Sequence, residues 1–210
     1  MLNLIEEQNL FSQGCKLVGG IDEAGRGPLA GPVVAACVVW PSDFDAEKLL
    51  YTELKLLRDS KKTNEKLREQ LFQAVQAEAT EIGVGICDHL TIDRANIFQA
   101  TFLAMKKSLS ALKNKPDFIL IDGKFGIPNT SYPQKAIIKG DSKIFSIISA
   151  SIIAKTTRDR LMLKFHEQYP EYGFDQHKGY GTKLHLAMLK KYGPCPIHRK
   201  SFGPVKNLLK

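Results

Sequence analysis

The chain has 210 residues, 43% of them apolar and 25% charged, a composition that excludes intrinsic disorder and supports one domain that folds without a disulfide or metal staple. Its net charge of +8 is local: residues 176–210 hold seven lysines, one arginine and no acid, and the rest of the chain is balanced. The start, MLNLIEEQNLF, has two glutamates and no basic run ahead of its apolar residues, so it is no secretory signal, and no later stretch reaches transmembrane length. A cytosolic protein without membrane contact is expected. Cys15, Cys37, Cys87 and Cys195 are scattered and read as free thiols. Cys195 and His198 form a CxxH with no second ligand pair, which reads as a loop rather than a zinc site.

In chain order, residues 16–22 and 32–40 are β-branched, apolar runs separated by glycine and proline, which predicts two neighbouring strands. Residues 41–63 read as surface loop or short helix. A helix is predicted over 64–79, where Leu67, Leu71, Phe72 and Val75 fall on one face, followed by a strand over 80–88. The next helix, 91–112, buries Ile92, Ile97, Phe102, Met105 and Leu109. Strands follow at 117–122 and 135–139. The helix over 143–168 opens apolar (IFSIISASIIA) and turns charged (KTTRDR), so its first half is the buried one; a short helix covers 182–191. Strands clustered early and then alternating with helices predict an α/β fold, a mixed sheet flanked by helices. One domain is expected, with a core over 1–175 and a helical, basic segment over 176–210 packed on it.

The chemistry concentrates at strand ends. Asp22 and Glu23 close the first strand, Asp122 closes a later one, and Asp141 stands between a strand and a long helix. Carboxylates gathered there repel and take up protons unless a cation neutralises them. Oxygen-only ligands favour magnesium or manganese over zinc. Neighbours on a strand face opposite ways, so Asp22 and Glu23 share a site only if the strand breaks near Gly25 and Gly27 or if one of them offers a backbone oxygen. Taken singly, Asp122 before Gly123 also fits a tight turn and Asp141 before Ser142 a helix cap. Asp159 is excluded, because a continuous helix sets it about 27 Å from Asp141; between Arg158 and Arg160 it reads as a surface acid.

Gly25, Gly27 and Ala30 match the dinucleotide pattern GxGxxG/A, but Pro28 and Pro32 intervene and VVAACVVW continues as a strand, leaving no helix to hold a pyrophosphate. An arginine on a glycine turn beside acids is better suited to a phosphodiester or a sugar hydroxyl. The plainer reading of Arg26 is a pair with a neighbouring acid. The basic terminus suits a polyanion, or is simply a solvated tail.

The ordered blocks IDEAGRGPLAGPVVAA (21–36), DSKK (59–62), NIFQATFLAM (96–105), LIDG (120–123), KGDSK with SIISASIIAKTTRDRLM (139–162), HKGYGTKLH (177–185) and HRKSF (198–202) closely resemble bacterial ribonuclease HII. The resemblance implies a ribonuclease H-like fold. It also implies endonucleolytic cleavage of RNA in RNA/DNA hybrids and at single ribonucleotides in duplex DNA, with two Mn2+ or Mg2+ ions held by Asp22, Glu23, Asp122 and Asp141. By the same resemblance Gly25, Arg26 and Gly27 sense the ribose 2'-hydroxyl, Tyr180 packs on the sugar, and Lys61, Lys62 and Lys155 contact phosphates. A monomer is expected. The family allows a replication clamp as partner, for which PVKNLLK is too short and generic to argue. A metal-dependent DNA nuclease of similar architecture and a non-catalytic nucleic-acid binder are the competing classes.

Overall fold

The structure, a computed structural model, describes residues 4–44, 54, 56 and 64–209. Five strands form one mixed sheet. β1 (Leu17–Ala24) lies at its centre, antiparallel to β2 (Val33–Pro41) and parallel to β4 (Phe118–Asp122). β3 (Glu81–Cys87) flanks β2 and β5 (Gln134–Ile137) flanks β4, giving the order β3-β2-β1-β4-β5.

The alternation of β2 builds two cores. Ala36, Val38 and Trp40 pack on one face against Leu71, Phe72 and Val75 of α2 (Glu65–Glu78) and Phe145, Ile148 and Ile152 of α4 (Phe145–Gln168). Val33, Ala35, Cys37 and Val39 pack on the other against Phe102, Met105 and Leu109 of α3 (His89–Ser110). With both faces covered, the strand reads as an unbroken apolar run. Gly20 on β1 lets α4 come close: a Cβ at this position would overlap the Ser146 carbonyl. That approach brings the first turns of α4 over the end of β1 where the acids lie.

Several expectations are corrected. β1 does not end at Asp22 but pairs with β2 through Ala24. A helix not anticipated, α1 (Ile5–Ser12), precedes it. Its Glu7 is wholly buried and accepts hydrogen bonds from the Ser146 N–H (2.9 Å) and hydroxyl (2.8 Å), fastening the start of the chain to the start of α4. Burial pushes this carboxyl up from its ordinary value.

The helix predicted over 91–112 is broken at Asn96 (φ 67°, ψ 164°). Asp88 caps the first piece through the Thr91 N–H (2.8 Å), and Asn96 caps the second through the Gln99 N–H (3.1 Å). The charged half of α4 is not a solvent face. Arg158 has no exposed surface and Asp159 only 6%, so the surface placement of Asp159 fails. Its carboxylate is held by Lys155 Nζ (2.6 Å) and Arg68 (3.5 Å), a polar interaction between α4 and α2. Most of 41–63 lies outside the described residues, although Leu54 is buried in the first core.

Gly20→Ala should destabilise the protein by about 3 kcal/mol or prevent folding, because backbone rather than a movable side chain fills the space. A melting temperature within about 2 °C of the parent would show that α4 can shift away.

Candidate active site

Parallel pairing of β1 with β4 runs from Val18 opposite Phe118 to Ile21 opposite Ile121. The next step in register sets Asp22 beside Asp122, two acids on neighbouring strands whose backbones run about 5 Å apart. Asp22 is 5% exposed and its side chain accepts a hydrogen bond from Ser151 of α4 and from the Glu23 N–H (2.7 Å). Its carboxyl is pushed well above the ordinary range, by burial first and then by the charges of Glu23 and Asp122. Glu23 is raised in the same way by burial, against the opposing pull of Arg26.

Since β1 remains regular through Ala24, Glu23 leaves the sheet on the side opposite Asp22. It faces a recess that Asp122, Arg26 and the second piece of α3 also line. Asp141 sits in a 3-10 turn (Gly140–Ser142) before α4 and joins the site through its backbone, which donates to Asp122 Oδ1 (3.3 Å). The cap at the start of α4 falls to Ile144 rather than Asp141. The structure therefore gathers Asp22, Glu23 and Asp122 and sets the Asp141 backbone against them. Among the described residues, no three His, Cys, Asp or Glu side chains surround a single point closely enough to ligate an ion as they stand. The chemistry of the set still fits one: every donor is a carboxylate oxygen, and the buried charges at its centre are unfavourable without a cation.

The chain leaves β1 through Gly25, whose φ of +98° favours glycine; a Cβ there would overlap the Arg158 side chain. Arg26 pairs with Glu23 (3.1 Å), with half its side chain exposed. Gly27 is open, and a Cβ added to it would meet only the Tyr180 ring, at 3.7 Å. Tyr180 is 44% exposed; Lys155 Nζ and the Arg158 guanidinium lie 6.0 and 5.8 Å from its ring centre. The glycine loop, Tyr180 and Lys155 thus adjoin one another. Lys61 and Lys62 lie outside the described residues.

What holds this loop was not read from the sequence. Two arginines without exposed surface grip it from behind. Arg199 donates to the carbonyls of Gly25 (2.6 Å), Arg26 (3.0 Å), Gly31 (3.0 Å) and Pro32 (3.2 Å). Arg158 donates to those of Pro32 (3.0 Å), Ala30 (3.2 Å) and Lys178 (3.0 Å). Among the described residues neither guanidinium has a salt-bridge partner. Burial, with repulsion from Arg158, lowers Arg199 to about 9, so it stays charged at neutral pH.

The basic segment completes the support. Leu29 donates to the Gly179 carbonyl (2.8 Å), Gly31 to that of Ile197 (3.0 Å), and Arg199 back to that of Leu29 (2.8 Å). Beneath Tyr180, hydrogen-bond geometry fixes two histidine tautomers. His198 Nδ1 accepts from the Cys195 N–H (2.9 Å), so its Nε2 carries the proton and donates to His185 Nε2 (3.0 Å). His185 Nδ1–H then donates to the Tyr180 carbonyl (2.9 Å). A second proton would set two N–H groups head to head, and burial lowers both rings to about 4. The CxxH of Cys195 and His198 belongs to this relay, and all four cysteines are free.

Acids at the ends of adjacent parallel strands in this sheet order belong to a ribonuclease H-like fold. Two solved structures have the same fold. Ribonuclease H2 from Pyrococcus horikoshii OT3 superposes with a TM-score of 0.72 at 28% identity, covering 91% of this chain and 96% of that one. RNase HII from Archaeoglobus fulgidus, in a complex with PCNA, gives 0.73 at 25%, covering 89% and 95%. The family model of ribonuclease HII matches residues 19–205, and the ribonuclease HII of Geobacter metallireducens is 52% identical over 200 residues, 95% of this chain and 90% of that protein. The chain belongs to the ribonuclease HII family, endonucleases of the ribonuclease H class that depend on divalent metal.

Arg199→Met should cost about 3 kcal/mol, since it leaves several buried carbonyls without this donor. Arg199→Lys, assayed well below its melting temperature, should lose nuclease activity by about tenfold or more, because an ammonium cannot span the four acceptors. Parental activity in the lysine variant would mean the loop holds its shape unaided.

His185 and His198 titrate near 4 in the folded protein and near about 6.5 unfolded. In that window the unfolded chain binds more protons, so their contribution to stability is intact above about pH 6.5 and is lost as pH falls towards 4. The raised carboxyls Asp22 and Glu7 act in the opposite sense. Ring NMR shifts are therefore the decisive measurement: both histidines should stay neutral down to about pH 5.

Proposed function

We propose that the enzyme hydrolyses the RNA strand of RNA/DNA hybrids and incises at single ribonucleotides embedded in duplex DNA, leaving 5'-phosphate and 3'-hydroxyl ends. The observation that carries this reading is the placement of Asp22 beside Asp122 within reach of a braced glycine loop and an exposed tyrosine. The competing DNA nuclease needs the acids but has no use for a sugar-reading loop next to them, and a non-catalytic binder has no use for buried, mutually repelling carboxylates.

Asp22, Glu23, Asp122 and Asp141 would hold Mn2+ or Mg2+, two ions in this reading. When bound, the ions would supply the charge that makes an attacking water acidic near neutral pH and that steadies the leaving 3' oxygen. The protein's own groups divide the remaining work. Asp22, fixed by Ser151 and the Glu23 N–H between the charges of Glu23 and Asp122, would be the central residue in holding the ions. Arg26, drawn to Glu23, stands where a phosphate or 2'-hydroxyl would meet it. Gly27 leaves room for a sugar beside the Tyr180 ring. Lys155, although paired with Asp159, borders a cleft with Arg68, Lys178 and Tyr180 that would follow the strand's phosphates. Lys61 and Lys62 would add to this from outside the described residues. Residues 176–210 would act as the duplex-binding part through their charge. The enzyme would act in the cytoplasm as a monomer; a replication clamp remains a partner to be tested, since the Archaeoglobus relative was solved with PCNA.

Asp22→Asn and Asp122→Asn should each lower cleavage by roughly 10³-fold or more while the protein stays folded. Chelator should abolish cleavage by the parent, and either Mn2+ or Mg2+ should restore it. Duplexes identical except for one ribonucleotide separate the readings. Cutting only at the ribonucleotide supports this one, cutting of the all-DNA duplex supports a DNA nuclease, and binding without turnover supports a binder.

A further inference from the structure

The recess shared by Glu23, Arg26 and Asp122 has an aromatic wall that the chemistry so far leaves without a role. Its floor is Phe102 and Met105, both buried in the second core. Its rim is Phe98, 36% exposed, and Phe125, 60% exposed. The rings form a chain: Phe98 meets Phe102 edge-on with centroids 4.7 Å apart, and Phe125 stands perpendicular to Phe98 at 5.7 Å. Phe125 is thereby held by one ring contact yet remains largely open to water. Isolated exposed apolar side chains need no explanation. Two in mutual contact, in the same recess as the reactive carboxylates, call for an occupant.

Backbone geometry directs both rings to this place. The break at Asn96 restarts α3 so that Phe98 lies in the first turn of its second piece. Gly123, at φ +113°, turns the chain immediately after Asp122 and carries Lys124 and Phe125 into the same recess. The occupant must offer a flat or apolar face to Phe98 and Phe125. It must also offer negative charge to Lys124 and Arg26, and lie next to Asp122.

We infer that Phe125, backed by Phe98, packs against the base or sugar of a nucleotide adjoining the cleaved linkage, forming an aromatic contact separate from Tyr180. A nucleotide meets every requirement: its base is a flat apolar face, its phosphate suits Lys124 and Arg26, and continuity with the cleaved linkage sets it beside Asp122. Tyr180 borders the loop at Gly27, whereas the phenylalanine wall borders it at Arg26, so the two aromatics touch different parts of the bound strand. This inference rests on the nuclease reading given above and adds a specificity contact to it.

The test uses the full chain with a duplex carrying one ribonucleotide. Phe125→Ser should raise KM by about tenfold, with kcat within about twofold, a size set by loss of one stacking contact. Its melting temperature should be unchanged, since the ring is mostly in water. Phe125→Trp should keep the parental KM. With 2-aminopurine placed in turn at each nucleotide flanking the ribonucleotide, binding of the chelated parent should change the emission at one position and binding of Phe125→Ser should not. Parental KM in the serine variant, with the same emission change as the parent, overturns the inference and is the result a docking face for another protein would give. Should the parent itself fail to cut the ribonucleotide duplex, the nuclease reading falls instead, so the two failures are distinguishable.

Discussion

The site depends on a small set of backbone carbonyls turned inward onto two buried guanidinium groups. Residues 25–32 make no regular ladder, yet Gly25, Arg26, Ala30, Gly31 and Pro32 all give their carbonyl oxygens to Arg158 or Arg199. Burying two like charges is costly, and carbonyl dipoles without a carboxylate are a weaker compensation than an ion pair. The arrangement makes sense as a device for shape. A carboxylate partner would neutralise each arginine at one point, while a planar fork shared among several carbonyls fixes the course of a loop. Arg158 comes from the central helix and Arg199 from the C-terminal segment, so the loop is held between the two.

The acids need a different kind of support. Asp22 and Asp122 are brought together by strand register, a constraint no local motion relaxes without unpairing β1 from β4. The raised protonation range of Asp22 reflects burial first and then neighbouring charge, both of which disfavour the ionised form. A divalent ion would convert that repulsion into binding energy, which is why a fold can keep such an unfavourable cluster. Glu7 contributes at a distance: it clamps the Ser146 backbone and so helps set the first turns of α4, from which Ser151 reaches Asp22.

Much of the sheet and the acids at its strand ends was legible in the sequence, because unbroken β-branched and apolar runs bounded by glycine, proline or an acid are local signals. The β1 acids and Asp122 were placed on that basis, and their meeting follows from register. The sequence did not disclose the loop's support. In TTRDR and HRKSF the arginines stand among charged and polar neighbours, a pattern that normally marks a solvated face, and so Asp159 was misread as well. Except for Lys178, their acceptors are backbone atoms over a hundred residues away, which leave no trace in side-chain patterning. Asn96 was overlooked for a related reason: a single capping side chain inside a strongly periodic stretch carries less signal than the period around it.

The route of Arg199 has a bearing on biosynthesis. Asp22, Glu23 and the glycine loop are translated well before the Arg199 guanidinium that seats the loop. A nascent chain can assemble the sheet and still lack a seated loop until residues 197–199 clear the exit tunnel and pair with Leu29 and Gly31. The loop thus takes its final course only after residues 197–199 have been made and docked on it.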